Sequence, residues 1–250
     1  MRTLIKRFLN KRGYDIVKLE KIKEFPVDFT EEDIQIITAV EPYTMTSYER
    51  IYALIQAAEY IVKNNIPGDI VECGVWKGGS IMAMAKTLAN LGNSDRNLYL
   101  FDTFEGMPRP GDADISFNGT DAVQIFDRER IGDDSSAWCK ASLAEVQEAV
   151  FSTGYDKTKI HFVKGKVENT IPASAPEVIA LLRLDTDWYE STMHELIHLF
   201  PRLSRGGVII IDDYGHWLGA RKAVDEYISQ NNLPLFLSRI DYTGRLGIKI

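Results

Sequence analysis

Helical and strand-like patterns of apolar residues alternate along most of the chain. Residues 47–65 carry apolar side chains at three- and four-residue spacing, which predicts an amphipathic helix that ends before Pro67 and Gly68. Uninterrupted apolar runs then occur at 69–75, 97–102, 159–165, 178–185 and 206–212. Runs rich in Val, Ile, Leu and Phe without polar alternation are typical of strands buried on both faces of a parallel sheet.

Helices are expected between most of these strands. Helical patterns begin at Ser80 and cover roughly 140–153, 190–203 and 217–231. Alternation of strand and helix predicts an α/β fold with a doubly wound sheet. The chain then continues with two strand-like runs, 233–239 and 245–250, separated by a turn at Thr243 and Gly244, which predict an antiparallel C-terminal hairpin at one edge of the sheet.

The interval 103–137 fits neither pattern. It is dense in Gly, Pro, Asp and Ser and contains a few aromatic residues. Long irregular segments in compact domains usually form lids or binding loops. We expect a lid or substrate loop here, the alternative being a passive insertion.

Composition narrows the class of protein. The 250 residues are enough for one domain, and the formal net charge of -7 argues against nucleic acid as the main partner. No stretch approaches the roughly 20 apolar residues of a membrane span. Cys73 and Cys139, the two cysteines, form no disulfide framework, and the basic N-terminus lacks the apolar core of a secretory signal. These features favour a reducing cytoplasm.

Several predicted strands end in an acidic residue. Asp185 and Asp187 follow one apolar run, and Asp212 and Asp213 follow another. Ligands of open α/β sheets bind beyond the carboxyl ends of the strands, so these acids mark a site. Four carboxylates placed together repel one another unless a positive charge lies among them.

The glycine loop after the first strand distinguishes between cofactors. Gly74, Gly78 and Gly79 do not have the G-x-G-x-x-G spacing that holds a pyrophosphate. Glu72, just before them, would repel a pyrophosphate but suits the cationic sulfonium of S-adenosylmethionine. Asp102, at the end of the next strand, is placed to accept hydrogen bonds from ribose hydroxyls. The alternative is that the glycines only permit close packing.

At this point the motifs resemble a known family. The stretches VECGVWKGGS, LYLFDTFEGMP, WCKASLAEV, HFVKGKVENTIP, LLRLDTDWYEST and GGVIIIDDYG, over about 40–250, are similar to the macrocin O-methyltransferase family, whose members methylate sugar hydroxyls of macrolides and related natural products. The resemblance implies a class I methyltransferase (Rossmann-like) domain over 40–250. Residues 1–39 lie outside it and are expected to form an N-terminal helical extension. It also implies S-adenosylmethionine as methyl donor and a divalent metal, usually Mg²⁺.

The resemblance also assigns residues to the two sites. It places the metal on Asp185, Asp212 and Asp213, and the cofactor near Glu72, Gly74, Asp102 and Ser142. The positive charge among the carboxylates is then a hard cation, since oxygen ligands suit Mg²⁺ better than Zn²⁺.

Asp185 is the expected proton acceptor as well as a metal ligand. Asp187 and His216 are less favoured bases, because Asp187 could be an N-terminal helix cap and His216 a surface imidazole. Trp76, Trp138, Trp188 and Tyr189 lie beside the motifs, either as core residues or as a platform for adenine or sugar. Arg221 and Lys222 are expected to be solvated charges.

The sequence therefore favours a metal-dependent sugar O-methyltransferase. A magnesium-dependent phosphoester hydrolase and a non-catalytic binding module on the same fold are the alternatives. The expected partner is a small-molecule saccharide or glycoside whose identity the sequence does not give. A homodimer is a further possibility, because residues 1–23 could form a helix that packs on a neighbour rather than on a membrane surface.

Overall fold

The structure is a computed structural model that describes residues 25–250. Contacts between residues divide the chain into Met1–Thr30 and Glu31–Ile250, and the fold below is that of the second unit. The expected helix at residues 1–23 lies outside the described residues. Of the expected extension at 1–39, residues 31–39 belong to the second unit.

One sheet organises the fold. Its strands are β1 (Asp69–Cys73), β2 (Leu98–Asp102), β3 (Ile160–Lys164), β4 (Ile179–Leu184), β5 (Leu203–Ile211), β6 (Ser238–Arg239) and β7 (Arg245–Ile248). They lie in the order β3-β2-β1-β4-β5-β7-β6. The pairs among β1 to β5 are parallel, whereas β7 is antiparallel to both β5 and β6.

Helices connect the parallel strands. They are α1 (Glu31–Val40), α2 (Tyr48–Lys63), α3 (Gly79–Asn90), α4 (Ala122–Glu129), α5 (Leu143–Phe151), α6 (Val167–Thr170), α7 (Tyr189–Leu199) and α8 (Leu218–Gln230). Helices α1, α2 and α3 pack on one another, and α7 packs against α8. Within residues 25–250, none of these helices has both the length and the apolar character needed to cross a bilayer.

The predicted α/β sheet with an antiparallel C-terminal hairpin is confirmed. The five apolar runs correspond to β1 to β5, and their side chains form most of a core in which Val71, Phe101, Leu182 and Ile209 are fully buried. The first strand of the hairpin is shorter than predicted, with two residues.

The interval 103–137 has more order than its composition suggests. It contains α4, whose N-cap Asp121 accepts a hydrogen bond from the backbone N–H of Val123. Isolated bridges join Ile115 to Asp121 and Ser116 to Trp217. The segment is therefore folded onto the domain over part of its length.

The strand order reverses its direction between β1 and β4. In doubly wound folds, ligands bind at this point, beyond the carboxyl ends of the strands. Gly74, Asp102, Asp185, Asp212 and Asp213, five of the predicted site residues, end or closely follow strands at this edge.

Candidate active site

Backbone hydrogen bonds align the strand ends at the switch point. The amide of Asp185 donates to the carbonyl of Cys73, and the amide of Asp212 donates to that of Leu184, each at 2.9 Å. The ladder of the sheet thus continues one residue beyond β4 and β5. It brings the acidic residues that follow these strands to one place.

Gly74 permits the close approach of β1 and β4 at this edge. Its φ is +82°, and a Cβ atom there would lie 1.9 Å from the carbonyl oxygen of Asp185. Every other residue would both adopt an unfavourable backbone conformation and displace Asp185. The predicted position of Gly74 in the site therefore has a geometric reason.

Asp185, Asp187 and Asp213 form a compact cluster. Each offers a carboxylate oxygen, and these oxygens all lie within 4.8 Å of one another. Asp187 reaches the cluster from a turn in which its own φ is +68°. In the part of the chain that the structure describes, Oδ2 of Asp213 is buried and has no hydrogen-bond partner.

The cluster shifts the pKa values of its own members. Burial, followed by the charges of Asp187 and Asp212, raises the pKa of Asp213 well above its usual range. Burial also raises the pKa of Asp187 to about 7, with a contribution from Asp185. Burial raises the pKa of Asp185 as well, although Arg183 opposes the shift. Oxygen ligands and a surplus of negative charge fit a hard divalent cation such as Mg²⁺.

Asp212, the third of the expected metal ligands, lies beside this compact cluster of Asp185, Asp187 and Asp213 and is paired with arginines. One of its oxygens accepts a hydrogen bond of 2.6 Å from Arg183, and the other accepts from Arg50. Its side chain is only 4% exposed. The arginines therefore supply part of the positive charge that the sequence analysis assigned to a cation alone.

Glu72 is a buried residue of β1. We expected it to form an acidic rim for the cofactor, but its side chain is 1% exposed and does not line the cavity described below. Its Oε1 accepts a hydrogen bond of 2.7 Å from Arg183. Burial raises the pKa of Glu72 to about 7, although Arg183 opposes the shift. Glu72 is thus a buried partner of an arginine.

Asp102 lies at the end of β2, as predicted, and lines the cavity. Its Oδ2 accepts hydrogen bonds from the amides of Val75 at 2.7 Å and Trp76 at 3.0 Å. Its Oδ1 accepts from the amide of Phe104 at 2.6 Å. In this structure the carboxylate therefore fixes the glycine loop. Oδ2 already accepts two hydrogen bonds, whereas Oδ1 retains capacity for a further one.

Ser142 caps a helix in this structure. It was expected near an adenine, but it does not line the cavity. It is the N-cap of α5, where its hydroxyl accepts from the amide of Glu145 and the Glu145 side chain bonds back to the amide of Ser142. This capping box explains the motif residue by helix stability. Trp138 and Cys139, earlier in the same stretch, do line the cavity.

One cavity of about 370 Å³ joins the predicted regions. Its lining includes Gly74, Trp76 and Asp102 at one side and Asp185, Asp187 and Asp213 at another. The volume falls in the range of small-molecule sites. Trp76, Cys139 and Asp187, all in the lining, have positive φ angles of 47°, 51° and 68°. Such backbone strain concentrates at functional sites.

The remaining candidates separate into lining and packing residues. Trp76 and Trp138 line the cavity, whereas Trp188 is 3% exposed and donates from its indole N–H to the carbonyl of Pro108 at 3.2 Å. The hydroxyl of Tyr189 donates to Glu226 at 2.7 Å. Arg221 and Lys222 are exposed, as expected, with carboxylates one turn further along α8.

Asp187 is not a helix cap. The N-cap of α7 is Trp188, which has no capping side-chain bond. His216 is not a free surface imidazole either, because it lines the cavity and its Nδ1 lies 3.2 Å from the Tyr242 hydroxyl. Burial, followed by the charge of Arg50, lowers its pKa.

Arg50 and Arg183 are the site residues that the sequence analysis missed. The sequence contains a signal for Arg183, because a charged residue in the middle of an otherwise apolar run needs buried partners. The sequence contains no such signal for Arg50, because this residue lies on the polar side of an amphipathic helix, where charged residues are normal. Its partner Asp241, at 2.9 Å, follows β6 far along the chain.

Comparisons with known proteins identify the family. Residues 8–246 match the family model described as macrocin-O-methyltransferase (TylF). The match begins well before residue 40, so the family covers more of the chain than the motifs indicated.

Three curated relatives align over 202 residues, or 81% of this chain. They are the demethyldecarbamoylnovobiocin O-methyltransferase of Streptomyces niveus (31% identical, 74% of its length), the 8-demethyl-8-(2,3-dimethoxy-alpha-L-rhamnosyl)-tetracenomycin-C 4'-O-methyltransferase of Streptomyces olivaceus (36%, 74%) and the mycinamicin III 3''-O-methyltransferase of Micromonospora griseorubida (33%, 76%).

Solved structures agree with these relatives. The O-methyltransferase NovP superposes with a TM-score of 0.73 at 30% identity, covering 83% of this chain and 82% of its own. The calicheamicin methyltransferase CalS11 superposes with a TM-score of 0.60 at 19% identity, over 94% of this chain and 99% of its own, and shows the shared fold. The chain belongs to the macrocin-O-methyltransferase family and has the class I methyltransferase fold.

Proposed function

We propose that this family member transfers the methyl group of S-adenosylmethionine to a hydroxyl of a sugar or glycosylated natural product, with a divalent metal activating the acceptor oxygen. The observation that carries the proposal is the single cavity that contacts both the glycine loop with Asp102 and the three clustered aspartates. If the methyl donor and the acceptor are bound in one cavity, methyl transfer between them becomes an effectively unimolecular step. The names of the three curated relatives, each an O-methyltransferase of a natural product, support the acceptor class.

The glycine loop and Asp102 would hold the donor. The Gly74 backbone lines the cavity without a side chain, which leaves room for a ligand beside the end of β1. Oδ1 of Asp102 has a lone pair left for a ribose hydroxyl, and Trp76 and Trp138 offer aromatic walls. Carboxylates on the far side suit the positive charge of the sulfonium.

Asp185 and Asp213 would hold the cation, with Asp212 as a third ligand. Asp185 and Asp212 directly follow Leu184 and Ile211, which are register partners in β4 and β5. Carboxylate oxygens accept more than one bond, so the arginine contacts of Asp212 leave ligand capacity. When bound, Mg²⁺ lowers the pKa of a coordinated hydroxyl and fixes its oxygen.

Asp187 would then accept the proton of the acceptor hydroxyl. Asp185, the base expected from the sequence, has its Oδ2 at 2.7 Å from Arg183, so this oxygen is already engaged by a guanidinium. Asp187 lines the cavity and contacts the other two aspartates. It is therefore the carboxylate best placed to receive a proton.

The phosphoester hydrolase alternative finds less support. Both arginines in the cavity lining are paired with carboxylates, Arg50 with Asp212 and Asp241, and Arg183 with Glu72, Asp185 and Asp212. A phosphate would have to compete with these ion pairs. Isothermal titration with S-adenosylmethionine, with and without Mg²⁺, separates the alternatives.

We expect S-adenosylmethionine to bind, and S-adenosylhomocysteine to form only when a glycoside and Mg²⁺ are both added. Hydrolysis of para-nitrophenyl phosphate serves as the control reaction. Hydrolysis without binding of the donor would contradict the proposal. Binding without methylation of any glycoside or saccharide would favour the non-catalytic alternative.

A further inference from the structure

We propose that Phe117, His216 and Tyr242, here called the aromatic rim, bind an uncharged ring of the aglycone while the attached sugar reaches the aspartates. The inference rests on the proposed function and deepens it, because it names the residues that would hold the aglycone and so determine specificity for that part of the acceptor. Three features of the aromatic rim support the inference: the loops that build it, the exposure of its rings and its position beside the cavity.

The rim is built from three separate loops. Phe117 belongs to the segment between β2 and α4, His216 to the loop after β5, and Tyr242 to the turn between β6 and β7. The ring centroids lie 5.5 Å apart for Phe117 and His216, and 6.0 Å apart for Phe117 and Tyr242 and for His216 and Tyr242. Three loops thus present one continuous aromatic surface.

Backbone contacts fix the three loops to one another. The amide of Phe117 donates to the carbonyl of His216 at 2.7 Å, and the amide of Gly215 donates to that of Thr243 at 2.9 Å. A Cβ atom on Gly215 would lie 2.1 Å from the carbonyl oxygen of Tyr242, so the close approach requires glycine. The rim is therefore organised before any ligand binds, which lowers the entropic cost of binding.

The rim exposes apolar area where a packed core would bury it. Phe117 is 58% exposed and Tyr242 is 56% exposed. Exposed aromatic residues that cluster beside a cavity mark ligand or partner sites more often than isolated ones do. Aromatic rings stack well on planar or apolar rings.

The location of the rim identifies its occupant. His216 and Tyr242 line the same cavity as Asp185 and Asp213, and the amide of His216 donates to the carbonyl of Asp213 at 2.9 Å. Phe117 continues the aromatic surface from these two residues beyond the cavity lining. A glycoside whose reacting hydroxyl lies at the aspartates would extend its aglycone over this surface.

Two glycosides that share a sugar test the inference. The probes are para-nitrophenyl and methyl α-L-rhamnopyranoside, because one relative acts on a rhamnosyl compound, and the same pair is repeated with D-glucose and D-galactose. Dissociation constants are measured by titration of the full chain with S-adenosylhomocysteine and Mg²⁺ present. We expect the aromatic glycoside to bind about tenfold more tightly, as expected for one or two stacked rings.

The variants Phe117→Ala and Tyr242→Ala should each remove most of this advantage without changing the affinity for the methyl glycoside. Tyr242→Phe keeps the ring and should keep the advantage. Phe236→Ala is the matched control, because Phe236 is 81% exposed but does not line the cavity. Circular dichroism verifies folding, and Phe117→Leu replaces Phe117→Ala if the latter is unfolded.

The outcomes separate the two levels of the proposal. Equal binding of both glycosides, or an advantage that survives in Phe117→Ala and Tyr242→Ala, overturns the inference and leaves the methyltransferase function standing. If sedimentation shows a dimer for the wild type and a monomer for Phe117→Ala, a second copy of the chain covers the rim, and this outcome also overturns the inference. Failure of every glycoside to bind or to be methylated overturns the proposed acceptor class itself, and the inference with it.

Discussion

Arg183 and Glu72 are directly opposite each other in β4 and β1, and their side chains form an ion pair of 2.7 Å with exposures of 3% and 1%. The same guanidinium reaches Asp185 at 2.7 Å and Asp212 at 2.6 Å. One arginine on a central strand thus compensates a buried carboxylate within the sheet and two at its edge. Its loss would affect the fold and the site together.

Replacing Arg183 should destabilise the fold strongly. Arg183→Met leaves Glu72 and Asp212 buried with less compensation, and breaking a buried ion pair from one side costs about 3–5 kcal/mol of unfolding free energy. Urea unfolding measures the change. The control is Arg221→Met, whose side chain is 57% exposed and whose loss should cost less than about 0.5 kcal/mol. Similar losses for the two variants would contradict a structural role for the buried network.

Glu72→Gln should stabilise the protein, and increasingly so as the pH rises. Burial raises the pKa of Glu72 from 4.5 to about 7. Between these values the folded state holds a proton that the unfolded state has lost, so the contribution of Glu72 to stability falls as the pH rises towards 7. The difference of about 2.5 pH units limits the gain of the variant to roughly 3 kcal/mol, because each unit corresponds to about 1.36 kcal/mol.

Urea unfolding of the wild type and Glu72→Gln at pH 5 and pH 8 measures this gain. The glutamine keeps an oxygen that accepts from Arg183, so the hydrogen bond is retained. A difference in stability between the two proteins that is the same at both pH values would show that Glu72 is ionised throughout.

The sequence predicts the sheet well and the charges within the site only in part. Apolar runs mark β1, β2, β4 and β5 because interior strands of a parallel sheet are buried on both faces, so each run shows that burial by itself. The run of the edge strand β3 is apolar as well, although only its first residue is buried. The partnership of Arg50 with Asp212 and Asp241 joins a helix to residues 162 and 191 positions away, and no local pattern encodes it.

Local structure around Ser142 and Asp187 shows what their sequence neighbours did and did not reveal. Ser142 belonged to a recognisable motif, yet its Glu145 partner three residues later had the spacing of a capping box. Asp187 resembles an N-cap in the sequence because it precedes a helix. Its φ of +68°, however, is not the extended backbone conformation of an N-cap residue. The local sequence did not reveal this conformation, because Asp is found with negative φ angles and also, more than most residues, with positive ones.

Asp102 should contribute to donor affinity. Asp102→Ala removes a carboxylate that lines the cavity and also frees the amides of Val75 and Trp76, which it now holds. We expect binding of S-adenosylmethionine to weaken by roughly 1–3 kcal/mol, the range for lost hydrogen bonds to a charged group. Isothermal titration measures it, with exposed Asp95→Ala as control. An unchanged dissociation constant would remove Asp102 from the donor site.

Variants of Asp187, Asp212 and Asp213 should differ in their response to Mg²⁺. If Asp213 binds the cation, Mg²⁺ should raise the melting temperature of the wild type and EDTA should reverse the rise, whereas Asp213→Asn should show neither effect and no turnover. Without metal this variant should be at least as stable as the wild type, because it removes a charge from the cluster. Asp187→Asn should lose turnover but keep the Mg²⁺ effect, as expected for a base.

Differential scanning fluorimetry, with and without Mg²⁺, measures these responses alongside methylation. Asp212→Asn should lose the effect of Mg²⁺ and also destabilise the metal-free protein through Arg50 and Arg183. If Asp187→Asn loses the Mg²⁺ effect and Asp212→Asn keeps it, the cation instead occupies the compact cluster of Asp185, Asp187 and Asp213. Turnover that survives EDTA would exclude metal activation altogether.

Gly74→Ala should disrupt the site through the backbone rather than through charge. Gly74 and Gly92 both have positive φ angles, +82° and +65°, so an alanine costs each a similar backbone strain of about 1–2 kcal/mol. A Cβ atom on Gly74 would lie 1.9 Å from the Asp185 carbonyl oxygen, whereas one on Gly92 meets nothing within 4 Å. The contact should therefore lower the unfolding free energy of Gly74→Ala by an additional ~1–3 kcal/mol, the cost of overpacking, as measured by urea unfolding.

Because the displaced residue is Asp185, the rise in melting temperature with Mg²⁺ should shrink in Gly74→Ala and persist in Gly92→Ala. Equal behaviour of the two variants would mean that β1 and β4 can separate at this edge without disturbing the aspartates.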